Sequence, residues 1–199
     1  MKTVILGGSG FIGRSLAQRL CEAGHDVVTV SRAPMTPLAP NHQHRDMTLD
    51  DRRVLGELLA DAAYVFHAAS DTTPGSSRLQ PALEVSHNLL PLAGLQECLQ
   101  QHAGTTLVFI SSGGAIYDTD AVTGGLTETA GTAPPSYYGA GKLAAEALIQ
   151  AYHRQTGHAA IILRPSNVYG PGQRAKTLFG IIPTLCRCLA DGTTFPIWG

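Results

Sequence analysis

A doubly wound α/β fold, a parallel sheet with helices on both faces, is predicted here by three observations. Short apolar, β-branched runs alternate with helical stretches from the first residue onward. A glycine-rich turn, Gly7-Gly8-Ser9-Gly10-Phe11-Ile12-Gly13, joins the first run to the first helical stretch. Hydrophobic residues make up 44% of the 199 residues and charged ones 15%, a balance that suits a buried interior rather than a disordered chain. Runs that are apolar throughout, each followed by a helix, belong to strands covered on both faces.

Residues 2–6 form the first strand. Over 11–23, Phe11, Leu16, Leu20 and Ala23 recur at helical spacing, and Gly24 ends that helix as glycine does just past a C-terminus. Residues 26–30 are the second strand. Pro34, Pro37 and Pro40 make 33–44 a loop, with a short strand near 42–45. A helix over 50–60 and a strand over 63–67 follow. Residues 78–101 read as one long helix, bent at Pro91, whose ring and missing N–H disturb helical hydrogen bonding. Then come a strongly apolar strand (105–111), a helix (136–155), a strand (159–164), a helix (176–190) and a final strand (194–198).

The formal charge of −1 gives no basic field to hold a polyanion, so nucleic acid is not an expected partner. No apolar run approaches the roughly 20 residues of a membrane helix, and no membrane partner is expected. The N-terminus runs straight into the glycine turn without the apolar stretch of a signal peptide, which makes cytoplasm the expected location. Cys21 and Cys98 sit in apolar helical patterns, and Cys186-Arg187-Cys188 has the wrong spacing for a zinc knuckle. No metal site is expected.

The turn from Gly7 to Gly13 lies between a strand and a helix, the context in which glycines carry a dinucleotide's phosphates. Glycine permits the sharp turn and close approach, and the helix N-terminus supplies N–H groups and a positive dipole end. An acid at the end of the second strand would accept the ribose hydroxyls of NAD. Val30-Ser31-Arg32 stands there instead, and Asp26 is at the wrong end of that strand. Ser31 and Arg32 can donate to a 2′-phosphate, so the sequence favours NADP over NAD without excluding either.

Tyr138-Gly139-Ala140-Gly141-Lys142 supplies Y-x-x-x-K on the helix over 136–155. Phe109-Ile110-Ser111-Ser112 closes one strand, and Leu163-Arg164-Pro165-Ser166-Asn167-Val168-Tyr169-Gly170-Pro171-Gly172 follows another. With the glycine turn, these stretches resemble, in order along the chain, the extended short-chain dehydrogenase/reductases. Within that group the likeness is to the NAD-dependent epimerase/dehydratase family, UDP-glucose 4-epimerase-like.

The chemistry is readable without the resemblance. Tyrosine and lysine four apart lie on one helical face. A nearby ammonium favours phenolate, lowering a pKa near about 10 toward that of a general base. Such a base must take the hydroxyl proton as hydride leaves the carbinol carbon.

The resemblance implies a Rossmann-type fold with residues 1–172 as the dinucleotide-binding domain. Residues 173–199 would begin an incomplete substrate-binding lobe, most of it missing from a C-terminally truncated chain. Gly192-Thr193-Thr194-Phe195-Pro196-Ile197-Trp198-Gly199 resembles the strand where that lobe starts to close over the nucleotide base. The implied activity is that of an NAD(P)-dependent nucleotide-sugar epimerase, an isomerase working by transient hydride transfer. Its implied catalytic residues are Tyr138 and Lys142, with a hydroxyl residue expected four before Tyr117. That position is Gly113; Ser112 or Ser111 beside it can supply the hydroxyl instead, and Ser112 is the chosen candidate. Gly114 and Ala115 stand where dehydratases carry an Asp-Glu pair, which sets dehydration below epimerisation.

Cofactor contacts carry over to Gly7, Gly10, Phe11, Ile12 and Gly13, to Ser31 and Arg32, and to Asp46 and Met47 beside adenine. Ala68, Ala69 and Ser70 would line the ribose and pyrophosphate, Asn88 would brace the active site, and Pro165 would lie by the nicotinamide together with Tyr138 and Lys142. Ser112 and Asn167 would meet the nucleotide-sugar substrate. His67 reads as a hydrogen-bonded structural histidine. Family members often pair through helices near 90–100 and 140–155, so a homodimer is possible by analogy. An NADP-dependent carbonyl reductase of the same superfamily and a non-catalytic NAD(P)-binding sensor are the alternatives.

Overall fold

The computed structural model describes residues 1–118, 125–173 and 180–195. Its strands are β1 (Lys2–Leu6), β2 (Asp26–Ser31), β3 (His42–Asp46), β4 (Tyr64–His67), β5 (Thr106–Ile110) and β6 (Ala160–Leu163). Among the described residues they form one sheet in the order β3-β2-β1-β4-β5-β6, every pairing parallel. That is the doubly wound order, and the chain reverses direction across the sheet between β1 and β4. The crevice at the carboxyl ends of those strands is where such folds bind nucleotides.

The helices are α1 (Phe11–Glu22), α2 (Arg52–Leu59), α3 (Pro81–Glu84), α4 (Leu90–Leu99), α5 (Gly113–Ile116), α6 (Tyr137–Thr156) and α7 (Ile181–Asp191). Alternation along β1 divides the core between the two faces of the sheet. Val4 and Leu6 join Leu55 and Leu59 of α2, Leu92, Leu95 and Leu99 of α4 and Ile149 of α6, all buried. Ile5 points the other way, into a smaller cluster with Ala17 and Cys21 of α1 and Val27 of β2. Each such Leu or Ile contributes about 1.5–3 kcal/mol by leaving water. The edge strand β3, His42-Gln43-His44-Arg45-Asp46, is polar, as an edge that must not pair with another chain tends to be.

The stretch over 78–101 is not one α-helix. After α3 the chain makes a π-helical turn at Val85–Leu89 and then continues as α4, with Pro91 in its first turn. Proline lacks the N–H and its ring crowds the carbonyl four residues back; the wider turn just before it accommodates both. Asp51 caps α2, its side chain accepting from the Val54 N–H at 3.1 Å. The short α5 is not visible in the sequence pattern. At the C-terminal end α7 runs from Ile181 with Gly180 as its cap, and residues 176–179 of the expected helix lie outside the described residues. Residues 193–195 carry no strand, and the rest of the final strand expected over 194–198 also lies outside the described residues. Among the described residues no helix is long and apolar enough to cross a membrane.

Candidate active site

The glycine turn closes directly onto neighbouring backbone. Gly7 sits at φ +87°, in the left-handed region, and its N–H donates to Val30 O at 2.8 Å. A Cβ on Gly7 would stand 2.6 Å from the Ala69 nitrogen, and one on Gly13 would overlap the Gly7 carbonyl oxygen. The turn therefore holds its shape only with hydrogen at both positions. Gly10 caps α1 without a side-chain hydrogen bond, and no acidic residue stands in the first turn. The first N–H groups and the positive end of α1 are thus left for an anion, which fits a dinucleotide's pyrophosphate.

Beside the turn, at the carboxyl ends of β1, β2 and β4, opens a cleft of about 410 Å³. Of the sequence-predicted residues, Gly7, Gly10, Ser31, Arg32, Met47, Ala68, Ala69 and Ser70 line it. Phe11, Ile12 and Gly13, in the first turn of α1, do not line it, and Asp46 is exposed at the end of β3 without lining it. Ser31 and Arg32 are already engaged. The Ser31 hydroxyl donates to Ala33 O at 2.9 Å, and the Arg32 guanidinium donates to both oxygens of Asp71, at 2.9 and 2.5 Å.

At the β5 end, α6 carries Tyr138 and Lys142. Ser136 caps this helix, accepting from the Gly139 N–H at 3.1 Å. A Cβ on Gly139 would overlap the Ala115 carbonyl oxygen, so glycine is what lets α6 sit against α5. Ser112, the residue before α5, thereby comes within hydrogen-bonding range of the Tyr138 phenol. Gly113 has no room for a hydroxyl side chain: its N–H donates to Pro165 O at 2.8 Å, and a Cβ would lie 2.9 Å from Arg164 O.

Lys142 Nζ donates to the Ile110 carbonyl at 2.9 Å and lies 5.7 Å from the centre of the Tyr138 ring. Burial lowers its pKa to about 8, against the carboxylates of Glu84 and Glu146, which raise it. The Tyr138 phenol does not titrate as the sequence suggests. Burial pushes it above the ordinary tyrosine value, the Ser112 hydrogen bond opposes this, and Glu84 adds to the rise. The expected depression by lysine is overturned because desolvation of the ring dominates and the ammonium is directed at a backbone carbonyl.

Asn88, on the π-helical turn, ties three segments together. Its amide donates to Thr72 Oγ1 and to Glu84 Oε2, both at 2.8 Å, and its oxygen accepts from the Asp71 N–H at 3.1 Å. The sequence alone does not single out Glu84, a buried carboxylate whose Oε2 lies against Gly141. Its position four before Asn88 was the available signal, since that spacing puts both on one helical face. His67, at the end of β4, differs from expectation: it is buried with neither ring nitrogen hydrogen-bonded among the described residues. Burial, and then the charge of Lys142, lower its pKa to about 4, which keeps it neutral. Pro165 is half-buried against Gly113, while Asn167 is exposed near Gly114.

The model of the NAD dependent epimerase/dehydratase family matches residues 3–199. The chain belongs to that family. Among the family's curated members it is 29% identical over 208 residues to the UDP-glucose 4-epimerase of Mycolicibacterium smegmatis, covering 100% of this chain and 66% of that one. Among solved structures, the Thermotoga maritima UDP-glucose 4-epimerase with UDP-glucose superposes with a TM-score of 0.90 at 26% identity, covering 100% of this chain and 66% of that one. The UDP-glucose 4-epimerase of Thermus thermophilus, in complex with NAD, gives 0.87 at 27% identity, covering 98% and 64%. The chain thus spans just under two thirds of the length of these family members.

Proposed function

We propose that this chain is the dinucleotide-binding and catalytic part of a nucleotide-sugar 4-epimerase acting on UDP-hexoses. The observation that carries the reading is the convergence of Tyr138, Lys142 and Ser112 beside the cleft floored by the glycine turn. His67 and Ala69 line both the cleft and the small cavity around Lys142. Under this reading residues 1–172 hold the dinucleotide and 173–199 begin the substrate side.

The α1 N-terminus would hold the pyrophosphate, and Ala68, Ala69 and Ser70 would flank the riboses. The bound dinucleotide would supply the hydride acceptor and, in its oxidised form, a cationic ring that favours phenolate at Tyr138. Tyr138 Oη would take the proton of the sugar hydroxyl and later return it. Ser112 Oγ would hydrogen-bond the same substrate oxygen and hold it against Tyr138. Lys142, fixed by Ile110 O, would keep a positive charge beside the phenol. The NADP preference suggested by Ser31 and Arg32 is weakened by the engagement of both side chains, which supports NAD instead, the dinucleotide in the Thermus thermophilus neighbour.

The test is conversion of UDP-glucose to UDP-galactose with added NAD, by the native protein and by Tyr138→Phe. Loss of about 10²–10⁴-fold in the variant is expected for removal of an acid–base group. Equal rates in both proteins would remove Tyr138 from the mechanism. Net NADPH consumption with a carbonyl substrate would replace the epimerase by a reductase.

A further inference from the structure

Asp71 is placed where two strands' ends face each other across the cleft. It follows β4, whereas Arg32 follows β2, and both line the same opening. Two side chains stand against the carboxylate. Arg32 Nη1 donates to Oδ2 at 2.9 Å and Nη2 to Oδ1 at 2.5 Å; His87 Nδ1 lies 3.4 Å from Oδ2. The Asp71 backbone is fixed as well, its N–H donating to Asn88 Oδ1. A fork of this kind fixes both charges in place, yet Arg32 remains 64% exposed, so the pair contributes little to stability. Its effect falls on what enters the cleft.

In this fold the adenosine ribose sits at the end of the second strand, where an acid reads the 2′-hydroxyl or an arginine accepts a 2′-phosphate. Here the end of the second strand carries Ser31, then Arg32, and no acid, and the carboxylate arrives from the segment after β4 instead. We propose that Asp71 is the specificity-determining residue for the cofactor: by occupying Arg32 and presenting its own negative charge, it admits the ribose diol of NAD and disfavours the 2′-phosphate of NADP. A 2′-phosphate would have to break a charge-assisted fork and then sit beside the freed carboxylate. A ribose hydroxyl meets an acceptor already in place. Specificity here comes from a repulsive element as much as from an attractive one.

The proposal rests on the dinucleotide reading above, and direct binding separates the two. Dissociation constants for NAD and NADP would be measured by calorimetry on the full chain, on Asp71→Asn, and on Asp71→Asn combined with Arg32→Ala. The native protein is expected to prefer NAD by about tenfold or more, and Asp71→Asn to move the NADP-to-NAD ratio toward NADP by a similar factor. The double variant is expected to lose that gain and to bind NAD more weakly than the native protein, while a far-UV circular dichroism spectrum matching the native one reports that it is folded. An Asp71→Asn ratio within about twofold of the native one, or a native preference for NADP, would overturn the proposal. Failure of the native chain to bind either dinucleotide would overturn the cofactor reading itself and the proposal with it.

Discussion

Glu146 and Arg164 form a forked ion pair behind the candidate active site, with Arg164 Nη2 2.6 Å from Glu146 Oε2 and Nε 3.0 Å from Oε1. Glu146 is only 2% exposed and also accepts from the Ser111 hydroxyl at 2.5 Å. Arg164 goes on to donate to the Tyr117 hydroxyl at 3.0 Å and to Glu128 O at 2.8 Å. The pair therefore joins α6, the end of β5, the chain after β6 and the segment beyond α5. The hydrogen bonds to Glu146 and the pair's own charge raise the Arg164 pKa further, so it stays cationic at every accessible pH.

Removing one partner strands the other charge in the interior. Glu146→Ala is expected to destabilise the fold by about 3–5 kcal/mol, read as a lower midpoint in urea unfolding. Replacing both residues by apolar ones of similar size should recover much of the loss. A Glu146→Ala midpoint equal to the native one would show that the pair does not hold these segments.

Close backbone contact at Gly139 predicts an effect on the site from a residue with no functional group. In Gly139→Ala the new methyl would overlap the Ala115 carbonyl and push α5 from α6, moving Ser112 from Tyr138. Overpacking of this kind costs about 1–3 kcal/mol, and under the proposed epimerase reading turnover should fall by more than stability alone explains. Unfolding curves and turnover rates on the same preparation separate the two. Unchanged turnover would mean that Ser112 need not be held beside Tyr138.

Much of the sheet was legible because every strand but the polar edge strand β3 is a short, mostly apolar run, and the connections are helices or turns marked by Gly or Pro. The glycine turn was legible for the same local reason. What escaped were groups distant in sequence that only the topology brings together: Arg32 and Asp71 are 39 positions apart, and Glu146 and Arg164 are 18. The π-helical turn at Val85–Leu89 escaped because helical periodicity does not distinguish it from an α-turn; Pro91 was the sole local sign. At Gly113, counting from Tyr117 marks a departure from the family but cannot show that Arg164 and Pro165 occupy the space of a side chain.

His67 predicts an acid-sensitive fold. Its folded pKa of about 4 lies below the ordinary 6.5, so between these values the unfolded chain binds more protons. Stability therefore rises with pH from 4 to 6.5 and is flat above, the penalty reaching about 3 kcal/mol below pH 4. His67→Leu should remove that dependence. The readout is the difference in urea-unfolding free energy between the two proteins at pH 7 and pH 4.5. Parallel losses on acidification would mean that the ring is not buried neutral.

Lys142 gives the matching prediction on the alkaline side, with a different consequence for function. Burial lowers its pKa from 10.5 to about 8, so the folded chain binds fewer protons than the unfolded one between those values. The cost of the buried ammonium is full below pH 8 and is relieved as pH rises to 10.5, on the order of 2–3 kcal/mol. Lys142→Met should be free of this slope, although it loses the hydrogen bond to Ile110 O, worth about 1 kcal/mol. The difference in unfolding free energy, Lys142→Met minus native, is thus expected to shrink from pH 8 to 10.5. Under the proposed epimerase reading the same variant should lose most of its epimerisation, because the chain itself then supplies no cation beside Tyr138. A flat difference curve would place the Lys142 ammonium in contact with water, and with it would go the low-dielectric site on which its influence over Tyr138 depends.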